Sequence, residues 1–109
     1  MRKMNRTITP NDLKPLLEKN AVTVLDVRRR NDFDADTVTL PGALWKNPEQ
    51  TGEWSKGLSK ERELVIFCAR GGSVSNTVLD HLLGQGLKAR YIEGGIEAWK
   101  TAGGPTVGK

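Results

Sequence analysis

The stretch Leu64-Val65-Ile66-Phe67-Cys68-Ala69-Arg70-Gly71-Gly72-Ser73-Val74-Ser75 constrains the fold of this chain more than any other. Four apolar residues run into the only cysteine, and a short loop with two glycines follows. Val74, Val78, Leu82 and Leu83 then recur at helical spacing. The pattern predicts a buried strand, a tight loop and an amphipathic helix, with the thiol at the strand's carboxyl end. In open α/β sheets ligands bind there, because strand ends and helix starts open onto one crevice. Glycines let loop N–H groups turn inward, and a curl of such donors leading into a helix N-terminus is an anion cradle. Cys68 is therefore a candidate nucleophile whose thiolate the same donors would favour. Arg70 offers a positive charge to that thiolate or to an incoming anion. The competing reading is that a lone cysteine at a strand end is a small buried hydrophobe.

A length of 109 residues suits one domain with a single core, spanning residues 1–109. The 37% hydrophobic and 28% charged fractions are those of a globular chain rather than a disordered one. No run approaches the ~18 apolar residues of a membrane span. The basic start Met1-Arg2-Lys3-Met4-Asn5-Arg6 is followed by no apolar signal core, which argues against secretion. One cysteine excludes an internal disulfide and a multi-cysteine metal site, and a free thiol fits the reducing cytoplasm. The net charge of +4 could draw in small anions. The basic residues are scattered without interleaved aromatics, so nucleic acid is not an expected partner. Arg28-Arg29-Arg30, the densest basic run, reads as a solvated turn after a strand.

Elsewhere the chain alternates. Thr7-Ile8-Thr9 is an extended start, and Pro10 with Asn11-Asp12 marks a helix entry whose stripe is Leu13, Leu16 and Leu17. Pro15 is tolerable in that helix only within its first turn. Ala21–Val27 is a nearly continuous apolar run, the signature of a strand covered on both faces. Asn31–Asp36 reads as a helical turn or loop anchored by Phe33, and Leu40–Trp45 as a turn and a short strand. Residues 46–62 read as a loop with one helical turn. The central helix stops at Gly84-Gln85-Gly86, Leu87–Ile92 is a last strand, and Ile96–Lys100 is a final helix ending at Gly103-Gly104-Pro105. Strands alternating with helices define an α/β class with a mostly parallel sheet.

In four ordered pieces, spanning about residues 7 to 107, the chain resembles the rhodanese (sulfurtransferase) family. Val24-Leu25-Asp26-Val27-Arg28 with Asp32-Phe33 is similar to its D-V-R and E/D-F pattern. Leu40-Pro41-Gly42-Ala43 is similar to its H-I-P-G-A turn, with Thr39 where histidine is usual. Val65-Ile66-Phe67-Cys68-Ala69-Arg70-Gly71 matches its C-x-x-G active loop. Tyr91-Ile92-Glu93-Gly94-Gly95-Ile96-Glu97-Ala98-Trp99 resembles its closing L-x-G-G-x-x-x-W segment. The resemblance implies a three-layer fold, a sheet of about five strands flanked by helices on both faces. It implies Cys68 as the sulfur carrier, with Ala69, Arg70, Gly71, Gly72, Ser73 and Val74 binding substrate. Asp26 and Arg28 lie at a strand end expected to neighbour that loop and read either as substrate or loop support or as a structural polar pair that holds the following turn; Ser75 is a further candidate support. The resemblance further implies a small anionic sulfur donor such as thiosulfate, a cyanide or thiol acceptor (a protein thiol included), and no metal or organic cofactor.

Two departures bear on substrate. Ser73 and Val74 stand where single-domain members usually carry arginine and serine. Matching the helix-ending Gly86 makes the loop about one residue longer than the common sulfurtransferase form. Relatives that handle phosphate or arsenate have such a loop but place an arginine where this chain has Val74, which removes a bidentate oxyanion clamp. The alternatives to a sulfurtransferase are a non-catalytic binding or redox-sensing module and, more remotely, a phosphatase or arsenate reductase. His81, the only histidine, faces away from the Val74-Val78-Leu82 stripe and is expected at the surface. Trp99 is expected in the core, and Trp54 as a partly exposed lid.

Overall fold

A computed structural model describes residues 6–109. Most of the basic start, Met1–Asn5, lies outside the described residues. The elements run β1 (Thr7–Ile8), α1 (Pro10–Glu18), β2 (Thr23–Asp26), α2 (Arg30–Ala35), β3 (Val38–Thr39), β4 (Leu44–Trp45), α3 (Thr51–Trp54), β5 (Leu64–Phe67), α4 (Ser73–Gly84), β6 (Ala89–Ile92), α5 (Gly95–Thr101) and β7 (Val107–Gly108). Single 3-10 turns, Pro48–Gln50 and Ser55–Gly57, flank α3. The sheet is five-stranded, ordered β1-β6-β5-β2-β4, and each of its pairings is parallel.

The apolar runs of β2 and β5 explain the layering. A strand inside a parallel sheet has helices over both faces, so both of its side-chain rows must be apolar. Val24, Val65 and Phe67 pack with Leu13, Ile96 and Trp99, which places α1 and α5 on one face. Leu25, Leu64 and Ile66 pack with Val78, Leu79 and Leu82, and Trp54 joins them, which places α4 and α3 on the other. Trp99 is fully buried, as its spacing from Ile96 predicted.

Several local expectations change. The cap of α1 is Thr9, whose hydroxyl accepts from the Asp12 N–H at 3.2 Å. Pro15 sits in the second turn of α1, not the first. It deprives the Asn11 carbonyl of its helical donor, and both residues are exposed. Residues 46–62 hold three short helical pieces rather than one turn. A second sheet, unforeseen, pairs β3 with β7 in antiparallel fashion, Val38 opposite Gly108 and Thr39 opposite Val107. The Arg28–Arg30 run is not a uniformly solvated turn. Arg29 and Arg30 are exposed, but Arg28 is only 1% exposed.

Candidate active site

Because β2, β4, β5 and β6 are parallel, their carboxyl ends meet at one edge of the sheet. Cys68 lies there, one residue past β5 and 6% exposed. Ala69 is half-buried, Arg70 exposed, Gly71 half-buried and Gly72 exposed, after which α4 starts at Ser73. Arg70 makes no salt bridge among the described residues.

Two contacts from α5 shape the loop. The Ile96 N–H donates to the Cys68 carbonyl at 3.0 Å, and the Glu97 N–H donates to the Ala69 carbonyl at 3.2 Å. These first-turn N–H groups have no partner inside their own helix. The loop's first two carbonyls are thereby occupied on the α5 side. Contact this close needs glycine on both partners. A β-carbon on Gly95 would lie 2.5 Å from the Cys68 carbonyl oxygen, and one on Gly71 would lie 2.9 Å from the Gly94 nitrogen. Both glycines also have positive φ, +64° and +69°.

The loop's donors are unengaged. None of the backbone N–H groups from Ala69 through Ser75 donates to a protein acceptor among the described residues. The first backbone donation after Cys68 is from Asn76, to the Gly72 carbonyl at 3.2 Å. The partial positive charge at the start of the twelve-residue α4 adds to these dipoles. Ser75 is fully buried, and its hydroxyl has no hydrogen-bond partner among the described residues. It begins the buried face continued by Val78, Leu79 and Leu82, which turns it toward the sheet near the strand ends. Ser73 and half-buried Val74 border an open groove with Arg29, Pro48, Glu49 and Thr77. Trp54 is not a lid over this groove. It is half-buried against the α4 core, with its indole N–H donating to the Asn47 carbonyl at 2.8 Å.

Asp26 and Arg28 form the other feature of this edge. Both are at most 1% exposed, and Arg28 Nη2 lies 2.7 Å from Asp26 Oδ2 while its Nε donates to Asp26 Oδ1 at 3.0 Å. Arg28 also donates to Asp36 at 2.9 Å and to the Val38 carbonyl at 3.1 Å, and its guanidinium lies 5.6 Å from the centre of the Phe67 ring. Thr39 completes the cluster by donating to Asp26 at 3.2 Å. Burial alone would weaken the Arg28 charge, but hydrogen bonds and charge attraction from Asp26, then Asp36, raise its pKa above the ordinary value. Burial likewise disfavours the Asp36 carboxylate. Hydrogen bonds from Lys100, the Val38 N–H and Arg28 outweigh this and hold it down to about 2. The pair thus buttresses the turn after β2, and neither side chain makes a hydrogen bond to residues 68–75 among the described residues. His81 is exposed on α4, as expected.

Sequence reasoning missed the α5 tether, the groove residues Arg29, Pro48 and Glu49, and the role of Asp36. The Gly94-Gly95 pair was the available signal for the tether, since paired glycines at a helix start mark a close backbone approach.

The fold and this loop define the class. A family model for the rhodanese-like domain matches residues 9–102, and the chain belongs to that family. Among curated proteins it is similar to the thiosulfate sulfurtransferase GlpE of Coxiella burnetii, with 30% identity over 98 residues and 89% of each chain covered. Among solved structures, a rhodanese-related protein from Thermoplasma volcanium superposes with a TM-score of 0.81 at 28% identity, covering 94% of this chain and 97% of that one. A Rhodopseudomonas palustris protein of unknown function, described as a possible tyrosine phosphatase, gives a TM-score of 0.81 at 27% identity, covering 94% and 85%.

Proposed function

We propose that this protein is a cytoplasmic sulfurtransferase that carries sulfane sulfur on Cys68, taking it from thiosulfate or a persulfide and passing it to cyanide or a thiol. The Cys68 thiolate attacks the outer sulfur of thiosulfate. A sulfur–sulfur bond forms, the bond to the sulfonate sulfur breaks, and sulfite leaves with its electron pair. In the second step an acceptor thiolate attacks the outer sulfur of the Cys68 persulfide. The acceptor persulfide forms, and Cys68 departs as thiolate, so no oxidant or reductant is needed. The observation that carries this reading is the set of N–H groups from Ala69 to Val74, unengaged by protein acceptors among the described residues and next to the one thiol. Such a cradle holds an anionic persulfide or an incoming oxyanion without reorganising during the reaction. Arg70 adds charge at the loop, Ser75 offers a hydroxyl beneath it, and Asp26 with Arg28 holds the neighbouring turn.

The test is intact mass after incubation with thiosulfate, with Cys68→Ser alongside. A gain of one sulfur, about 32 Da, on the wild type alone supports the reading. If an alkylating agent labels Cys68 but thiosulfate adds nothing, the thiosulfate reading fails and a non-catalytic binding or redox-sensing module replaces it. The description of the Rhodopseudomonas palustris relative motivates one further arm with an aryl phosphate. Val74 offers no guanidinium to a phosphoryl group, so little or no hydrolysis is expected. Turnover that Cys68→Ser abolishes would favour a phosphatase.

A further inference from the structure

The loop after Cys68 borders a groove at each end, and the two grooves differ in charge. Ala69, at its start, touches a groove lined by Asp32, Asp36, Glu97, Arg28 and Lys100. Arg28 is already paired with Asp26 and Lys100 with Asp36, so Asp32 and Glu97 leave that side acidic. Ser73 and Val74, at its end, border a groove of about 170 Å³ that holds one cation, Arg29, and one acid, Glu49. These two make no salt bridge with each other or with any other side chain among the described residues. Their backbones are nevertheless anchored. The Arg29 carbonyl accepts from the Phe33 N–H at 2.9 Å, and the Glu49 N–H donates to the Asn47 side chain at 3.0 Å. Pro48, Val74 and buried Val78 supply the apolar part of the lining. The volume lies below the ~300 Å³ at which pockets for drug-sized ligands begin, so it suits a group the size of one amino acid.

We propose that this groove receives the charged end of an α-amino-acid persulfide, with Arg29 on its carboxylate and Glu49 on its ammonium. The inference rests on the sulfurtransferase reading and names the sulfur donor of the same site. Thiosulfate carries only negative charge, so Glu49 opposes what Arg29 attracts. A zwitterion engages both side chains through charge-assisted hydrogen bonds. In such a donor both charged groups sit on one carbon, and a single methylene joins that carbon to sulfur. Holding them beside Ser73 and Val74 therefore keeps the sulfur chain at the loop, while the acidic groove at Ala69 disfavours the carboxylate. The Cys68 thiolate attacks the outer sulfur of the protonated persulfide. A new sulfur–sulfur bond forms, the donor's own breaks, and the amino-acid thiolate leaves with the electron pair. The proton stays on the transferred sulfur, and no oxidant or reductant is needed.

The test follows, by intact mass, how fast the full-length protein gains sulfur at Cys68 from freshly generated persulfides. Those of L-cysteine, 3-mercaptopropionate, cysteamine and 2-mercaptoethanol carry both charges, the carboxylate alone, the ammonium alone and neither. Each rate is divided by that of the same persulfide with dithiothreitol, which removes differences in intrinsic reactivity. L-Cysteine persulfide should load Cys68 about tenfold or more faster than each of the others. Arg29→Met should bring the ratio of the cysteine rate to the cysteamine rate close to one. Glu49→Gln should do the same for the ratio to mercaptopropionate. Such ratios are blind to general damage to the loop. Equal rates for the four persulfides, or ratios that both substitutions leave unchanged, would overturn the inference. So would thiosulfate loading that falls with Arg29→Met as far as cysteine persulfide loading does, which would make Arg29 a plain oxyanion site. If no donor adds sulfur, the sulfurtransferase reading has failed instead. The groove is then read by titrating S-methyl-L-cysteine into the protein. Binding that both substitutions weaken upholds amino-acid recognition, and no binding overturns it as well.

Discussion

The Ile96 N–H donates to the Cys68 carbonyl at 3.0 Å, so the helix that closes the fold holds the residue that carries the proposed chemistry. Both residues are buried, and the bond survives only while Gly95 keeps its backbone against the loop. The shape of the loop is therefore a property of two distant segments.

Replacing Gly95 with alanine tests that dependence. The new β-carbon would meet the Cys68 and Ala69 carbonyl groups at 2.5–2.6 Å, and φ of +64° is itself unfavourable for alanine. Gly95→Ala should destabilise the fold by about 2–4 kcal/mol and sharply reduce sulfur uptake by Cys68. Denaturant unfolding and intact mass read the two effects, and wild-type values for both would show that the loop does not need the tether.

Ser75 gives a prediction of opposite sign for stability and reaction. Its buried hydroxyl has no partner among the described residues, so Ser75→Ala should leave stability unchanged or raise it by up to about 1 kcal/mol. If the hydroxyl serves the anion above it, the same change should slow sulfur loading and Ser75→Thr should restore much of the rate. Thiosulfate-loading kinetics beside unfolding curves separate the two, and an unaltered rate in Ser75→Ala would assign the hydroxyl no part in the reaction.

Removing half of the Asp26–Arg28 pair should be costly. Arg28→Met leaves the Asp26 carboxylate buried without its cation, and a loss of about 3–5 kcal/mol is expected. The double variant Asp26→Leu/Arg28→Met should lose less than the two single losses combined, because it removes the stranded charge. Additive losses in urea unfolding would contradict the coupling seen in the geometry.

Acid should expose the role of Asp36. Its folded pKa of about 2 lies below the ordinary 3.8, so its stabilisation is complete above about pH 4 and fades as pH falls toward 2. Asp36→Asn should be less stable than wild type at pH 7, and the difference should shrink over that acid range. A difference constant from pH 7 to pH 2 would mean that the ion pairs with Arg28 and Lys100 contribute nothing.

The sequence carried the sheet and the thiol because their signals are local. The apolar runs of β2 and β5 carry the signature of strands covered on both faces, and a cysteine following such a strand lies at its end. Arg28 illustrates where local signals stop. Its place two residues after Asp26 suggests a polar pair holding the turn, which the structure contains, but the run of three arginines suggests solvent, and only the folded chain buries it and brings Asp36 and the Val38 carbonyl around it. The pairing of β3 with β7 was hidden for the same reason, since two-residue strands carry no periodicity and their partners lie far apart in sequence. Trp54 is partly exposed, as its polar neighbours suggest, but it packs against the α4 core instead of covering the groove, a tertiary contact that no local pattern signals.

The central strand β5 pairs with β2, some forty residues earlier, and with β6, some twenty-five later, and the loop after it is fixed by Ile96 and Glu97. Pairings of such long sequence separation form late in folding. On the ribosome, Cys68 therefore emerges on an unshaped segment, and the loop takes its form only after α5 has been synthesised and has docked. If Cys68 carries sulfur as proposed, its loading would report completion of the whole fold.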